Sequence, residues 1–147
     1  MKAVVQRVTR AEVRVAGESV GRIEHGLLVL LGVMRGDDQA CARRFADRIA
    51  RWRCFGDEHG RMNRDLREIA GGALVVSQVT LAADGKKGRR PSHDAAAEPE
   101  TARALYEGFV RALEELGVPC RQGVFGAAME VELVNDGPVT FSLEEHP

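Results

Sequence analysis

Apolar and polar residues alternate through the first third of the chain. KAVVQRV and AEVRVAGESVGRIE follow the two-residue period of half-buried strands, and Ala16-Gly17-Glu18 between them predicts the turn of a hairpin. GLLVLLGV, Gly26 to Val33, is apolar without alternation, which predicts a strand buried on both faces. The period then changes. Asp37-Asp38 predicts the cap of a helix running to about Arg53, with Ala42, Phe45, Ala46, Ile49 and Trp52 on one face and Arg43, Arg44, Arg48 and Arg51 mostly elsewhere.

CFGDEHGRMN is rich in turn formers, and GGALVVSQVTL predicts a strongly β-branched strand entered from a diglycine. A polar loop follows from Ala82 to Ala97. Pro99 suits the first turn of a second helix, whose stripe of Ala102, Leu105, Tyr106, Phe109, Leu113 and Leu116 ends at Gly117, a C-terminal stop. Val118 to Gly123, MEVELV and VTFSL complete the sheet. Two amphipathic helices and about seven strands, not in β-α-β alternation, predict an α+β fold: a compact barrel-like antiparallel or mixed sheet with two flanking helices.

Bulk properties narrow the function classes. At 147 residues and 44% apolar content the chain can bury one sizeable core, so residues 1–147 are expected to form a single domain. A formal net charge of -1 excludes polyanion binding by global charge, and leaves the local run KKGRR, Lys86 to Arg90, as the candidate patch. Three cysteines, Cys41, Cys54 and Cys120, form no CxxC pair and support neither a disulfide framework nor a zinc site, which fits a reducing cytoplasm. The longest apolar run is too short to span a bilayer, and the N-terminal segment is charged throughout, so no membrane association is expected.

The familiar catalytic motifs are missing. There is no GxSxG elbow, phosphate loop, GxGxxG or HExxH, and His25, His59, His93 and His146 lack ligand spacing. The carboxylate pairs fall at a helix cap, a helix end and the tail. What remains is SQVTL, Ser77 to Leu81, where an apolar strand turns polar at its end, and NDGPVT, Asn135 to Thr140, which puts a Gly-Pro bond inside a strand pattern. Proline cannot donate to a ladder, and X-Pro is the one peptide bond that adopts cis at modest cost, so Gly137-Pro138 is either a turn or a shaped backbone surface.

In combination these segments are more specific than any one of them. MKAVVQRV, GLLVLLGV, SQVTL, KGRRPS and GVFGAAMEVELVNDGPVT, in that order, closely resemble the D-aminoacyl-tRNA deacylase family from Met1 to about Leu143. That family's signatures are SQFTL and NxGPVT; the second matches throughout, and the first has Val79 in place of Phe.

The resemblance implies a cytoplasmic homodimeric esterase, without cofactor or metal, that cleaves a D-amino acid from the 3′-terminal ribose of tRNA. It implies a pocket at the dimer interface and a cis Gly137-Pro138 step inserted into the opposite subunit as a chiral gate that excludes L-residues but passes glycine. Phe125 and Met129 would line the pocket by similarity, and Arg7 would hold the Gly-Pro loop through its carbonyls. An aminoacyl ester is already activated, so positioning and backbone donors can supply much of the acceleration. The amides of Gln78, Val79 and Thr80 are the candidate donors, with the side chains of Ser77 and Gln78 as orienting groups. Thr80 has no histidine or carboxylate linked to it by sequence, which favours a hydrogen-bonding role over a nucleophilic one. Lys86, Lys87, Arg89 and Arg90 are the candidate tRNA contacts. The alternative is a non-catalytic tRNA-end or RNA-binding module, against which stands the thin supply of stacking aromatics, one Trp and one Tyr.

Overall fold

The computed structural model of the protein describes residues 1–86 and 88–147. The described residues form the strands β1 (Lys2–Val15), β2 (Glu18–Ile23), β3 (Gly26–Gly32), β4 (Phe55–Gly56), β5 (Met62–Arg64), β6 (Gly72–Ser77), β7 (Cys120–Gln122) and β8 (Glu130–Glu144). Two helices, α1 (Gln39–Ala50) and α2 (Pro99–Glu115), and a 3-10 turn at Val79–Ala82 complete it.

The first 23 residues are two strands, as the alternation predicts, but the first is longer than expected. KAVVQRV and AEVRV run on as the single strand β1, which turns at Ala16 and Gly17 into β2. Both turn residues have positive φ, 51° and 81°, the handedness that matches strand twist in a tight hairpin. β1 is also the spine of the sheet. β3 and β2 pair successive stretches of it, and β8 pairs it from Lys2 to Arg14, all antiparallel. β6 then joins β3 and β7 joins β6, both in parallel. The sheet is therefore mixed and curls toward closure: β2 comes back over β7 so closely that a Cβ on Gly21 would sit 2.6 Å from the Gln122 carbonyl oxygen.

The central strands are buried on both faces because the curled sheet has two cores. Leu27, Val29 and Leu31 of β3, with Ala73 and Val75 of β6, face α1 and α2 and join Phe45, Ile49, Phe109 and Leu113. Leu28, Leu74 and Val76 face the other way and fill the barrel with Val8, Val13 and Ile23. Phe45 and Phe109 lock the helices together edge to face, with ring centroids 6.1 Å apart. The expected α+β architecture with two flanking helices is what the chain adopts.

Three local expectations need correcting. α1 stops at Ala50, short of Arg53, because the chain turns there to set Trp52 against Phe141, with ring centroids 5.5 Å apart. Asp38 alone caps α1, accepting from the Cys41 amide at 2.7 Å; Asp37 instead accepts from the Met34 amide and from the buried Met1 ammonium, 2.8 Å away. MEVELV and VTFSL are one strand, β8, with the Gly-Pro step carried as an excursion within it. α2 begins at Pro99 and stops before Gly117, at φ +84°, as the sequence predicts.

Burial has an electrostatic consequence. Loss of solvation raises the Cys54 thiol to about 11 and the Cys120 thiol to about 12, and pushes Cys41 and the Tyr106 phenol upward as well. An unfolded chain releases thiol protons from about pH 8.5, whereas the native state keeps them. The unfolded state then binds fewer protons, so stability falls as pH rises. We expect urea-unfolding stability to be flat from pH 7 to about 8.5 and to decline at higher pH by about 1.4 kcal/mol per pH unit for each released group. Cys120→Ala should make the decline shallower; equal slopes for parent and variant would contradict the assignment.

Candidate active site

The parallel pair of β3 and β6 ends at Leu31 and Ser77, and there the site begins. The last bond of the ladder runs from the Gln78 amide to the Leu31 carbonyl at 2.8 Å. SQVTL therefore does not continue as strand: the chain folds into the 3-10 turn Val79–Ala82, closed by bonds from Leu81 N–H to Gln78 O and from Ala83 N–H to Thr80 O. The turn lies directly on Gly32. A Cβ at that position would stand 3.0 Å from the Leu81 Cβ and 3.1 Å from the Gln78 carbonyl oxygen, so glycine there lets the turn settle onto the end of β3.

This geometry corrects one candidate and sharpens two. The Gln78 amide is consumed by Leu31 and is not a free donor. The amides of Val79 and Thr80 open a 3-10 turn, where no preceding carbonyl is in position to accept from them, and neither has an acceptor among the described residues. They are two adjacent backbone donors left over at a strand end.

Beside them opens a cavity of about 500 Å³, a size suited to a small organic group. Ser77, Gln78 and Val79 form one side; Phe125, Met129 and Val131 form another; Val33, Ala96, Ala97, Pro99 and Ala102 supply the rest. The barrel interior and the helix layer meet here, so the wall is mainly apolar, with Ser77 and Gln78 as its polar side chains, and carries no charged side chain among the described residues. Phe125 is held in place by Tyr106, whose ring lies 5.9 Å away and whose hydroxyl donates to the Val75 carbonyl at 2.8 Å. Val79, 52% exposed, sits at the mouth. Thr80 does not line the cavity. Its hydroxyl accepts from the Gln78 side-chain amide at 2.5 Å, and no acid or base bonds to it among the described residues.

Gly137, Pro138 and Arg7 lie away from this cavity. In the pairing of β1 with β8, Val8 meets Asn135 and Gln6 meets Thr140, so Asp136 to Val139 bulge out opposite Arg7 alone. The Gly137-Pro138 bond within the bulge is cis, and both residues are exposed. Arg7 holds the base of the excursion, donating to the Asp136 carbonyl at 2.9 Å and to the Cys54 carbonyl at 2.6 Å, with the Asp136 carboxylate 3.2 Å away. It reaches the residue before the Gly-Pro pair and not the carbonyls of the pair itself. Asn135, which was not among the expected site residues, does more. Its side-chain amide donates to the Arg7 and Val139 carbonyls at 2.9 Å each, and its oxygen accepts from the Val139 amide at 3.2 Å, closing the loop on itself.

The basic loop runs from the 3-10 turn to α2. Asp84 bridges to Ser92, and Lys86, Arg89 and Arg90 are exposed, with the Lys86 ammonium 4.0 Å from Asp84. Lys87 lies outside the described residues. The loop's far end returns to the cavity, where Ala97 donates to the Val33 carbonyl and Ala96 bridges to Met34. Among the described residues, no three His, Cys, Asp or Glu side chains converge as a metal site would require.

Residues 4–144 match the D-Tyr-tRNA(Tyr) deacylase family. The D-aminoacyl-tRNA deacylases of Geobacter metallireducens and Pelobacter propionicus are 55% and 56% identical to this chain over 144 residues, spanning 98% of it and 95% and 99% of their own lengths. Among solved structures, a c-Myc DNA unwinding element binding protein superposes with a TM-score of 0.94 at 39% identity, with both chains fully covered. A probable eukaryotic D-amino acid tRNA deacylase superposes with a TM-score of 0.83 over 97% of both chains; at 16% identity it speaks for the fold alone.

The Asn135 clamp can be tested by itself. Asn135→Ala strands two carbonyls and one amide at the base of the excursion, and is expected to cost about 2 kcal/mol. Amide exchange at Val139 should accelerate markedly while exchange in β3 and β6 stays slow. Unchanged exchange at Val139 would show that the side chain is not what holds the loop.

Proposed function

The chain belongs to the D-Tyr-tRNA(Tyr) deacylase family, and on that footing we propose that it hydrolyses the ester joining a D-amino acid, or glycine, to the 3′-terminal ribose of tRNA. The observation that carries the chemistry is the pair of unpartnered amides, Val79 and Thr80, beside an apolar cavity at the end of a rigid parallel strand pair. An aminoacyl ester is a reactive acyl compound. Its hydrolysis needs positioning of the carbonyl and donors aimed at the oxygen that becomes negative, more than it needs a nucleophilic side chain. Substrate seated in the cavity displaces water from around these donors, which strengthens them. The Ser77 and Gln78 side chains orient the substrate at the wall, and water attacks the carbonyl with the neighbouring ribose 2′-hydroxyl to direct it. No metal enters this scheme, and the donor set does not suit one.

Chirality is read by exclusion. Gly137 and Pro138 are exposed, stand outside the cavity of their own protomer, and lie on a segment pinned by Asn135 and Arg7. In a homodimer such a segment enters the cavity of the partner subunit and presents backbone oxygens to the substrate Cα. A D-residue turns its hydrogen toward that wall; an L-residue turns its side chain and is refused; glycine passes. The exposed cations of the basic loop meet tRNA phosphates, which fix register and not chemistry. A tRNA substrate fits a cytoplasmic enzyme; among the described residues no helix is long and apolar enough to cross a membrane. A protein that only binds nucleic-acid ends is the second reading, favoured by the likeness to a DNA unwinding element binding protein.

Purified protein should release D-amino acid from D-aminoacyl-tRNA, spare the L-ester, and do so in excess chelator. Binding of tRNA without release would support the second reading, and loss of activity on chelation with recovery on adding zinc would overturn the metal-free scheme. Thr80→Ala should lower kcat/KM by less than about tenfold, far from the roughly 10⁶-fold loss on deleting a triad nucleophile. A covalent aminoacyl adduct on Thr80 would overturn that assignment. Lys86→Ala combined with Arg89→Ala should raise KM in a salt-dependent manner and leave the saturated rate nearly intact; the reverse pattern would assign the loop to chemistry.

A further inference from the structure

The cavity wall has no charged side chain among the described residues, yet the proposed substrate carries a phosphodiester one nucleoside away from its scissile ester. A phosphate cannot enter an apolar cavity unpaired, so it must stay at the rim while the terminal nucleoside and amino acid go in. The question is which cation waits there.

Arg103 fits. It lies on the first turns of α2, one residue after the cavity-lining Ala102 and one helical turn after the cavity-lining Pro99. Its guanidinium carbon stands 5.4 Å from the centroid of the Phe125 ring, which is itself cavity wall. The side chain is exposed, and no carboxylate lies within 4.0 Å of its nitrogens among the described residues, although Glu100 and Glu107 occupy positions i−3 and i+4 on the same helix, where ion pairs commonly form. The three arginines of α1, and Arg51 just past its end, behave otherwise: Arg43 pairs with Glu115, Arg44 and Arg48 with Glu145, and Arg51 with Asp47. Arg103 is thus an unneutralised cation resting against an aromatic ring at the edge of the site. Such a contact fixes the planar group and leaves N–H donors free for a bidentate partner, and phosphate is the anion whose geometry matches that fork.

We propose that Arg103 binds the 3′-terminal phosphodiester of the tRNA, positioning the ester over the Val79 and Thr80 amides while Phe125 holds the guanidinium from below. The inference rests on the esterase reading of the same cavity. It assigns Arg103 a substrate contact separate from the basic loop, which meets phosphates farther along the chain.

The test compares a substrate that has this phosphate with one that lacks it. D-aminoacyl-tRNA and D-aminoacyl-adenosine are hydrolysed by the parent and by Arg103→Gln, Arg103→Lys and, as a control for lost surface charge, Arg111→Gln from the same helix. Arg103→Gln is expected to lower kcat/KM on the tRNA ester by about tenfold, through KM, the equivalent of about 1.4 kcal/mol, with the loss shrinking as salt is raised. Arg103→Lys should recover part of it, Arg111→Gln should match the parent, and all four proteins should treat the adenosine ester alike. Equal loss on both esters would make Arg103 a prop for Phe125 and overturn the proposal. No loss on the tRNA ester, or the same loss from Arg111→Gln, would overturn it too. Failure of the parent to cleave D-aminoacyl-tRNA would remove the esterase reading and this inference with it, whereas cleavage by the parent without the expected contrast removes the inference alone.

Discussion

The structure depends on the parallel pairing of β3 with β6 between two apolar layers. A strand buried on both faces has no water to satisfy its backbone, so every amide and carbonyl along Gly26–Gly32 and Gly72–Ser77 must find a protein partner. The ladder provides them as far as the bond from Gln78 N–H to Leu31 O. One residue later the chain leaves the sheet, and the next two amides have no carbonyl opposite them. The same requirement that fixes the core therefore ends by exposing a pair of adjacent donors at its edge. A site made this way inherits the rigidity of the core, which is what preorganised electrostatic stabilisation demands.

β1 connects this site to the Gly-Pro excursion. One edge of β1 carries β3, which leads to the Val79 turn; the other carries β8, whose excursion is anchored by the Arg7 side chain and by the Asn135 bond to the Arg7 carbonyl. A single residue in the spine of the sheet thus meets the loop through both its backbone and its guanidinium. The two segments are held to the same strand, so their relative placement is set by the sheet and not by flexible connections.

Much of this was legible because it is local. The apolar run Gly26 to Val33 announces a doubly buried strand, Ala16-Gly17 a hairpin, Pro99 and Gly117 the limits of α2. What was not legible comes from long-range register or from backbone direction. Val79, Thr80 and Leu81 are strand-forming or apolar residues, and nothing in their chemistry announces a 3-10 turn; the turn exists because β3 ends at Gly32 and leaves room above it. The consumption of the Gln78 amide follows from its partner on β3, which no local pattern names. MEVELV and VTFSL look like two strands because proline interrupts them, and only the continuous pairing with β1 makes them one. Asn135 reads as a turn former, and its two bonds to Val139 are local, yet the third goes to the Arg7 carbonyl on a strand more than a hundred residues earlier. The resemblance pointed to SQVTL and NDGPVT, and the geometry changed which atoms in them are available.

The departure at Val79 follows the same logic. If the donors are backbone amides, the side chain at that position is free to vary provided the turn is kept, and a β-branched residue keeps it as well as a ring would. The apolar surface that a phenylalanine would add at the mouth is partly present from Phe125, which Tyr106 braces from the core and against which Arg103 lies from outside. The cavity's aromatic wall therefore resides in the segment before β8, and the adjacent free amides reside in the turn after β6. These are separate elements joined only through packing, so variation in one leaves the other intact, and a chain can exchange a ring for a methyl-branched side chain at the mouth without disturbing the two adjacent amides of the turn.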